Sequence, residues 1–105
     1  MSATLIGNNV TVKINGAVSN SASATSGATT LYTAPASGYA IVNLFCTAFG
    51  ASGTFTVGGR VVHSFSGVST LPLVVYVGPS QVVQITSPGA ANTGVISGVD
   101  FVNSP

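Results

Sequence analysis

The residues able to do chemistry are few in this chain and lie far apart. One cysteine, one histidine and one side-chain carboxylate occur among its 105 residues, at Cys46, His63 and Asp100. A nucleophilic triad would need a serine beside His63 and Asp100, and no Gly-x-Ser-x-Gly motif is present to supply one. Cys46 and His63 lack the spacing typical of a cysteine protease. We therefore predict no catalytic residues and a chain that is not an enzyme.

Metal and nucleic-acid sites need more ligands and more charge than this sequence carries. Zinc usually takes four Cys or His ligands and calcium takes several carboxylates. Only a site shared between copies, with His63 or Asp100 repeated around a threefold axis, stays open. Nucleic acids require several cations to neutralise phosphates, and the chain has two, Lys13 and Arg60. We predict no cofactor, no metal and no nucleic-acid partner.

The scarcity of charge itself indicates how the surface is used. Only 3% of the residues are charged, against about 25% in an ordinary soluble domain. A net charge near zero favours association, because like charges keep molecules apart. The apolar runs from Tyr39 to Phe49 and from Leu71 to Val77 are shorter than the roughly 18 residues of a membrane-spanning helix. We expect lasting contact with other protein and no membrane partner.

Strand and turn signals alternate along most of the chain. Runs of Val, Thr, Ile, Phe and Tyr are separated by Gly, Pro, Asn and Ser, with turn signals every 8 to 12 residues or so. About eight short strands result, which predicts an all-β fold, an antiparallel β-sandwich or jelly-roll-like domain.

The first thirty residues differ from the rest of the chain in composition and in their predicted structure. Asn15-Gly16 is the preferred centre of a two-residue hairpin turn. Residues 19–29 are small, polar and low in complexity, which predicts a flexible connection or an arm that orders on a partner. We therefore divide the chain into an N-terminal hairpin with a flexible Ser/Ala/Thr-rich arm over 1–30 and a β-sandwich domain over 31–105.

The longest predicted strand is Tyr39 to Ala48. One of its sides carries the buried-type residues Ala40, Val42, Leu44 and Cys46. Its other side is also largely apolar, so we expect burial on both sides, within the fold or between subunits.

Three further turns organise the second half. Gly58-Gly59 predicts a hairpin in which Phe55 lies opposite Val62 and Thr54 opposite His63. Residues 78–81 predict a turn pairing residues 73–77 with residues 82–86. Pro88-Gly89 is expected to end that strand, and residues 94–102 form the last one.

Four residues are candidates for contact with a partner. Arg60 follows the Gly58-Gly59 turn, where its guanidinium can bind a carboxylate or carbonyls, or can simply lie in solvent. The other three are Lys13, Tyr32 and Tyr39. We interpret the tyrosines as core or subunit-interface residues rather than as platforms for sugars.

Several segments resemble a known group of proteins. Residues 31–43 (Leu-Tyr-Thr-Ala-Pro-Ala-Ser-Gly-Tyr-Ala-Ile-Val-Asn) are similar to an opening seen in many small tailed-bacteriophage structural proteins, where a Tyr-Thr-x-Pro-Ala-Gly turn leads into an apolar strand. The later order is also similar: a Gly-Thr-x-Thr-Val strand, then Val-Gly-Pro-Ser-Gln, then Ile-Ser-Gly-Val-Asp-Phe-Val-Asn. The resemblance covers residues 31–105 and leaves residues 1–30 outside it.

The resemblance implies a virion protein, either a head decoration (cement) protein or a tail or fibre component. Such proteins commonly form trimers with a β-sandwich or jelly-roll core, and the shared segments carry no catalytic residues. We expect a capsid decoration protein on the outer capsid surface, made in the host cytoplasm, whose partners are the major capsid protein and further copies of itself. The alternatives are a tail or fibre module for host attachment and a self-assembling fibre or surface-layer subunit.

Overall fold

The computed structural model describes residues 11–48, 50, 52–66 and 73–104, and these ranges contain six β-strands. The strands, in chain order, are β1 Thr11–Thr33, β2 Gly38–Ala48, β3 Gly53–Val57, β4 Arg60–Phe65, β5 Leu73–Val77 and β6 Val82–Ser104. Every pairing between them is antiparallel. The sheet curls until it is nearly closed into a barrel. The all-β, antiparallel prediction is confirmed, with six strands in these ranges rather than eight.

The two longest strands form a ribbon shared by the whole sheet. β1 and β6 are 23 residues each and pair from Thr11 with Ser104 to Thr33 with Val82. β6 also pairs with β2 over residues 93–102 and with β3 over residues 83–86. β5 extends the sheet beyond β2, and β4 extends it beyond β3. The fold therefore has two halves, β1–β6–β2–β5 and β1–β6–β3–β4.

A corner in the ribbon separates the two halves. Ala24 pairs with Asn92 but Ser26 pairs with Pro88, so residues 89–91 of β6 oppose a single residue of β1. Extra residues on one strand bend it and increase its twist. The bend brings the two parts of β1 together, and the Asn20 amide Nδ2 donates to the Leu31 carbonyl at 2.8 Å.

Two long strands that continue through turn-like residues explain why the expected strand count was too high. Asn15-Gly16 lies inside β1, at a register shift between Ile14 and Gly16, and forms no hairpin turn. Residues 19–29 are part of the same strand rather than a flexible connection, and β1 crosses the boundary drawn between residues 30 and 31. Pro88-Gly89 does not end a strand, because β6 continues through it. In each place the partner strand supplies hydrogen bonds on both sides of the irregularity.

The predicted turns after β3 and β5 are present, but the pairing around them differs. Gly58 and Gly59 have φ of 59° and 81°, as the hairpin turn requires. A bulge nevertheless places Phe55 opposite His63 and Thr54 opposite Ser64, so the predicted register was wrong by one residue. The turn over residues 78–81 forms, with the Gln81 N–H donating to the Gly78 carbonyl at 3.1 Å. It does not make a hairpin, because β5 pairs with β2.

The core lies inside the curled sheet. The predicted grouping of four β2 residues on one buried side is confirmed, since each is at most 1% exposed: Ala40, Val42, Leu44 and Cys46. They pack with buried residues of β3 and β6 such as Phe55 and Ile85. The opposite side of β2 is not buried within one chain, because Ile41 there is 41% exposed. Nowhere in the described ranges is there an apolar helix long enough to cross a membrane.

Candidate functional site

The outward side of the β1–β6–β2–β5 half carries most of the exposed apolar surface, and we call it the outer face. Register places Phe101 beside Ile14 and Tyr39, and Val99 beside Ile41. Among the described residues seven large hydrophobic side chains are exposed, and six belong to the outer face: Val12, Ile14, Ile41, Val74, Tyr76 and Val99. The seventh, Val61, lies on β4. Apolar side chains are therefore concentrated on one side of the molecule.

Three stacked rings form the centre of the outer face. The Tyr39 ring lies 5.0 Å from the Phe101 ring and 5.5 Å from the Tyr76 ring, centroid to centroid. The interplanar angles are 25° and 29°, which corresponds to stacking across β6, β2 and β5. Stacked aromatic pairs hold one another in place beyond the effect of buried area alone. The face therefore presents a broad apolar ridge.

No charged residue belongs to the outer face within the ranges that the structure describes. Lys13 stands between Val12 and Ile14 on β1, so it occupies the opposite side of the strand. Asp100 alternates with Val99 and Phe101 in the same way and is 8% exposed. Arg60 begins β4, in the other half of the sheet. A partner on the outer face meets apolar and neutral polar groups alone.

The Asp100 carboxylate is held inside the barrel by neutral donors. The Tyr32 hydroxyl donates to Oδ2 at 2.7 Å, and the Asn15 amide Nδ2 donates to Oδ1 at 3.2 Å. Burial of the Tyr32 hydroxyl, its hydrogen bond to Asp100 and the charge of that carboxylate raise the pKa of Tyr32 above its ordinary value. These contacts join β1 to β6 and are structural. In the described ranges no three His, Cys, Asp or Glu side chains cluster as metal ligands would.

A cleft of about 390 Å³ lies between β4 and β5. It is lined by residues from both strands and from the turns next to them: Val57, Gly58, Arg60, Val62, Tyr76, Gly78, Pro79 and Gln81. Arg60 is exposed there, and its guanidinium makes no ion pair or hydrogen bond with any other described residue. The cleft thus combines apolar walls with one guanidinium whose donors no other described residue uses.

A second cavity, of about 400 Å³, offers less chemistry. Its lining is Ser52, Gly53, Thr54, Ser64, Phe65 and Ser66. Hydroxyl groups dominate this lining, and it holds no acid, base or cation. A serine without a neighbouring base is a poor nucleophile.

The four partner-contact candidates lie in four different places. Arg60 lines the cleft, and Tyr39 is the middle ring of the outer face. Tyr32 is half-buried and turned to Asp100, and Lys13 is exposed near the start of β1. The structure does not bring them together, and their contact with a partner stays a prediction.

Sequence reasoning missed the edge-strand members of the outer face. Val74 and Tyr76 alternate with Leu73, Val75 and Val77, a period that places them on one side of a strand. They are 67% and 58% exposed. Residues 73–77 were predicted only to pair with residues 82–86, and their alternation was not used to separate an exposed side from a buried one.

No family model, no curated protein and no solved structure matches this chain.

Proposed function

We propose that this chain is a non-enzymatic virion structural protein, a bacteriophage capsid decoration (cement) protein that stabilises the head by bridging capsid subunits. Its partners would be the major capsid protein and further copies of itself. The single observation that supports this proposal is the uncharged, apolar outer face. The resemblance of residues 31–105 to phage structural proteins supplies the setting.

The size of the outer face fits a protein interface. Three strands over roughly nine residues each and β5 over its five residues, about 4.8 Å apart, span about 500 Å² in projection. Two such surfaces bury about 1,000 Å², the lower bound for a specific interface. The largest apolar patch on a monomer is of about this size and is often functional. Association through the face would strip water from apolar groups without burying an unpaired charge.

A trimer is the expected assembly. Three copies that turn the outer face towards a threefold axis would each divide it between two neighbours, which buries about 500 Å² per pair and about 1,500 Å² over the whole assembly. Closed rotational symmetry leaves no open end. The two halves of the curled sheet would then act as the two layers of a sandwich or jelly-roll-like subunit. The chain would work by burial of surface at capsid joints and would carry out no reaction.

Labelling of virus particles tests the proposal. Antibodies raised against the purified chain, coupled to gold, are applied to particles from a lysate of the source and examined by electron microscopy. We expect gold on the outer surface of heads. If a blot detects the chain in the lysate but no kind of particle is labelled, a virion role is contradicted.

A tail or fibre module is the second candidate. The cleft with Arg60 and the exposed Tyr76 is the kind of surface that a module for host attachment displays. Gold confined to tails or fibres, with bare heads, would favour this candidate over decoration of the capsid.

A further inference from the structure

We propose that the cleft between β4 and β5 binds an extended segment of a different protein, and that this segment carries a carboxylate side chain towards Arg60. The segment would add to the sheet as a strand between the two edges. The cleft is separate from the six exposed side chains of the outer face except at Tyr76.

Two unpaired strand edges meet at this cleft. The strand order ends with β4 on one side and β5 on the other. Among the described strands, β4 pairs only with β3, and β5 pairs only with β2. Each therefore has a row of backbone N–H and C=O groups that no other described strand pairs with. Such edges recruit extended peptides, because the main chain of the peptide completes the hydrogen-bond ladder.

The charge at the cleft specifies what the segment must carry. The Arg60 guanidinium presents five donors in a planar fork that fits a carboxylate. Its donors are unused by the other described residues. A charge-assisted pair at a partly enclosed site is stronger than one in open water. A carboxylate is therefore the group that the cleft selects.

A second copy of this chain cannot supply that side chain. Asp100 is the only Asp or Glu in the sequence. It is 8% exposed and already accepts hydrogen bonds from Tyr32 and Asn15. The occupant is therefore a segment of another protein.

The walls of the cleft specify the neighbours of the carboxylate. Val57, Val62 and the ring of Tyr76 give apolar contact. Gln81 is fixed, since its Oε1 accepts from the Gly78 N–H at 2.8 Å. Side chains two positions apart on a strand point the same way. We expect an acidic residue flanked, at alternate positions, by small apolar or β-branched residues.

Peptide pools test the proposal without knowledge of the partner. The probes are acetylated, amidated pentapeptides with Asp at the centre and Val, Thr, Ser or Ala at the other positions. A matched pool has Asn at the centre. Nuclear magnetic resonance titration of the full chain follows backbone amides. We expect the Asp pool to shift the amides of residues 60–62, 76–78, 80 and 81, and to bind at least tenfold more tightly than the Asn pool.

Matched variants identify the cation that is responsible. Arg60→Gln should weaken binding of the Asp pool at least tenfold, and Arg60→Lys should weaken it less, because a point charge remains without the fork. Lys13→Gln removes the other cation, outside the cleft, and should leave binding unchanged. Equal binding by R60Q and K13Q, or no shift of these amides by the Asp pool, would overturn the proposal. Displacement of the pool by an equal concentration of acetate would also overturn it, because a free anion would then suffice.

These readouts are independent of the virion role. The titration monitors the cleft in purified protein, whereas gold labelling monitors where the chain is found. If the chain binds the Asp pool but is absent from particles, the proposal about the cleft is supported and the proposal of capsid decoration is contradicted.

Discussion

Asp100 shows how a chain with so few ions accommodates one of them inside the barrel. A buried carboxylate is costly unless donors surround it. Here a hydroxyl from Tyr32 and an amide from Asn15 fill that role, without a cation. Removing a donor leaves part of the desolvation cost of the carboxylate without compensation. The contact should therefore matter to stability although it takes no part in any reaction.

The variant Tyr32→Phe should lower the free energy of unfolding by about 1–3 kcal/mol at neutral pH. It removes the donor 2.7 Å from Oδ2 and keeps the ring. Urea denaturation of both proteins measures the loss. Tyr76→Phe is the control, because its side chain is 58% exposed on the outer face and should change stability by less than about 0.5 kcal/mol.

The same pair of proteins should differ in their response to alkaline pH. The pKa of Tyr32 is raised in the folded state. The hydrogen bond from Tyr32 therefore contributes fully to the free energy of unfolding below the ordinary tyrosine pKa of about 10. This stabilisation is lost as the pH rises above about 10, because the Tyr32 hydroxyl releases its proton at a lower pH in the unfolded chain than in the folded one. The stability gap between wild type and Y32F should therefore shrink above about pH 10. A gap that widens there would contradict the assigned contact.

The packing of β2 against β6 requires glycine at position 98, because it leaves no room for a side chain there. A Cβ at this position would lie 2.2 Å from the Ile41 carbonyl oxygen and 2.8 Å from the Val42 Cα. Backbone would have to move, so Gly98→Ala should cost about 1–3 kcal/mol in thermal or urea unfolding. Gly16→Ala is the matched control, since the nearest atom to its Cβ would be Asp100 Oδ1 at 3.8 Å. If both variants lost equally little free energy of unfolding, β2 and β6 would lie further apart than described.

At the scale of elements, the corner of the β1–β6 ribbon decides the architecture. Its buried polar groups satisfy one another: Asn92 Nδ2 donates to Ser87 Oγ at 2.9 Å, and Ser87 Oγ donates to the Ala90 carbonyl. The Gly50 N–H donates to Asn92 Oδ1 at 2.8 Å. This network keeps residues 89–91 in the bulge that separates the two halves.

Asn92→Ala should therefore destabilise the fold by about 1–3 kcal/mol, because it leaves buried groups of the corner without partners. Asn103→Ala, which alters an exposed asparagine of the same strand, should change stability by less than about 0.5 kcal/mol. Equilibrium denaturation measures both. Equal, small effects would show that the corner is set by the backbone alone.

The same corner marks the limit of what could be predicted about the elements. Alternation along residues 40–46 and 95–101 grouped the side chains that share one side of a strand, because period-two patterns report the strand itself. It did not show which side faces the core, since both sides of residues 39–48 are largely apolar. Asn15-Gly16 and Pro88-Gly89 have the composition of turns, yet both became irregularities within long strands. Turn and bulge share these residue types. The choice depends on a partner strand far away in sequence, which local patterns do not contain.

At the scale of the whole molecule, the outer face predicts self-association that one charge can prevent. Val74→Asp places a carboxylate on the face at a position 67% exposed, so folding should be unaffected. We expect sedimentation velocity to shift from oligomer to monomer. Val61→Asp is the control, because Val61 is 54% exposed on β4 in the other half. A monomeric wild type, or equal effects of the two variants, would rule out association through this face.

Salt should separate the two surfaces of the molecule. The outer face lacks charge, so its association should persist or strengthen between about 0.1 M and 1 M sodium chloride. Binding of the Asp pool at Arg60 should weaken over the same range, because screening acts on the ion pair. The scarcity of charge predicted that the chain associates. It did not predict which side does so, since that depends on which strands pair.

The pairing of Thr11 with Ser104 puts the two extremities of the ribbon side by side. A force that separated Thr11 from Ser104 would break the hydrogen bonds between β1 and β6 one pair after another, and a small force would suffice. A force parallel to the strands would instead act on many of these hydrogen bonds at once. A neighbouring molecule that bound both residues would therefore raise the force needed to unfold the subunit without changing its core.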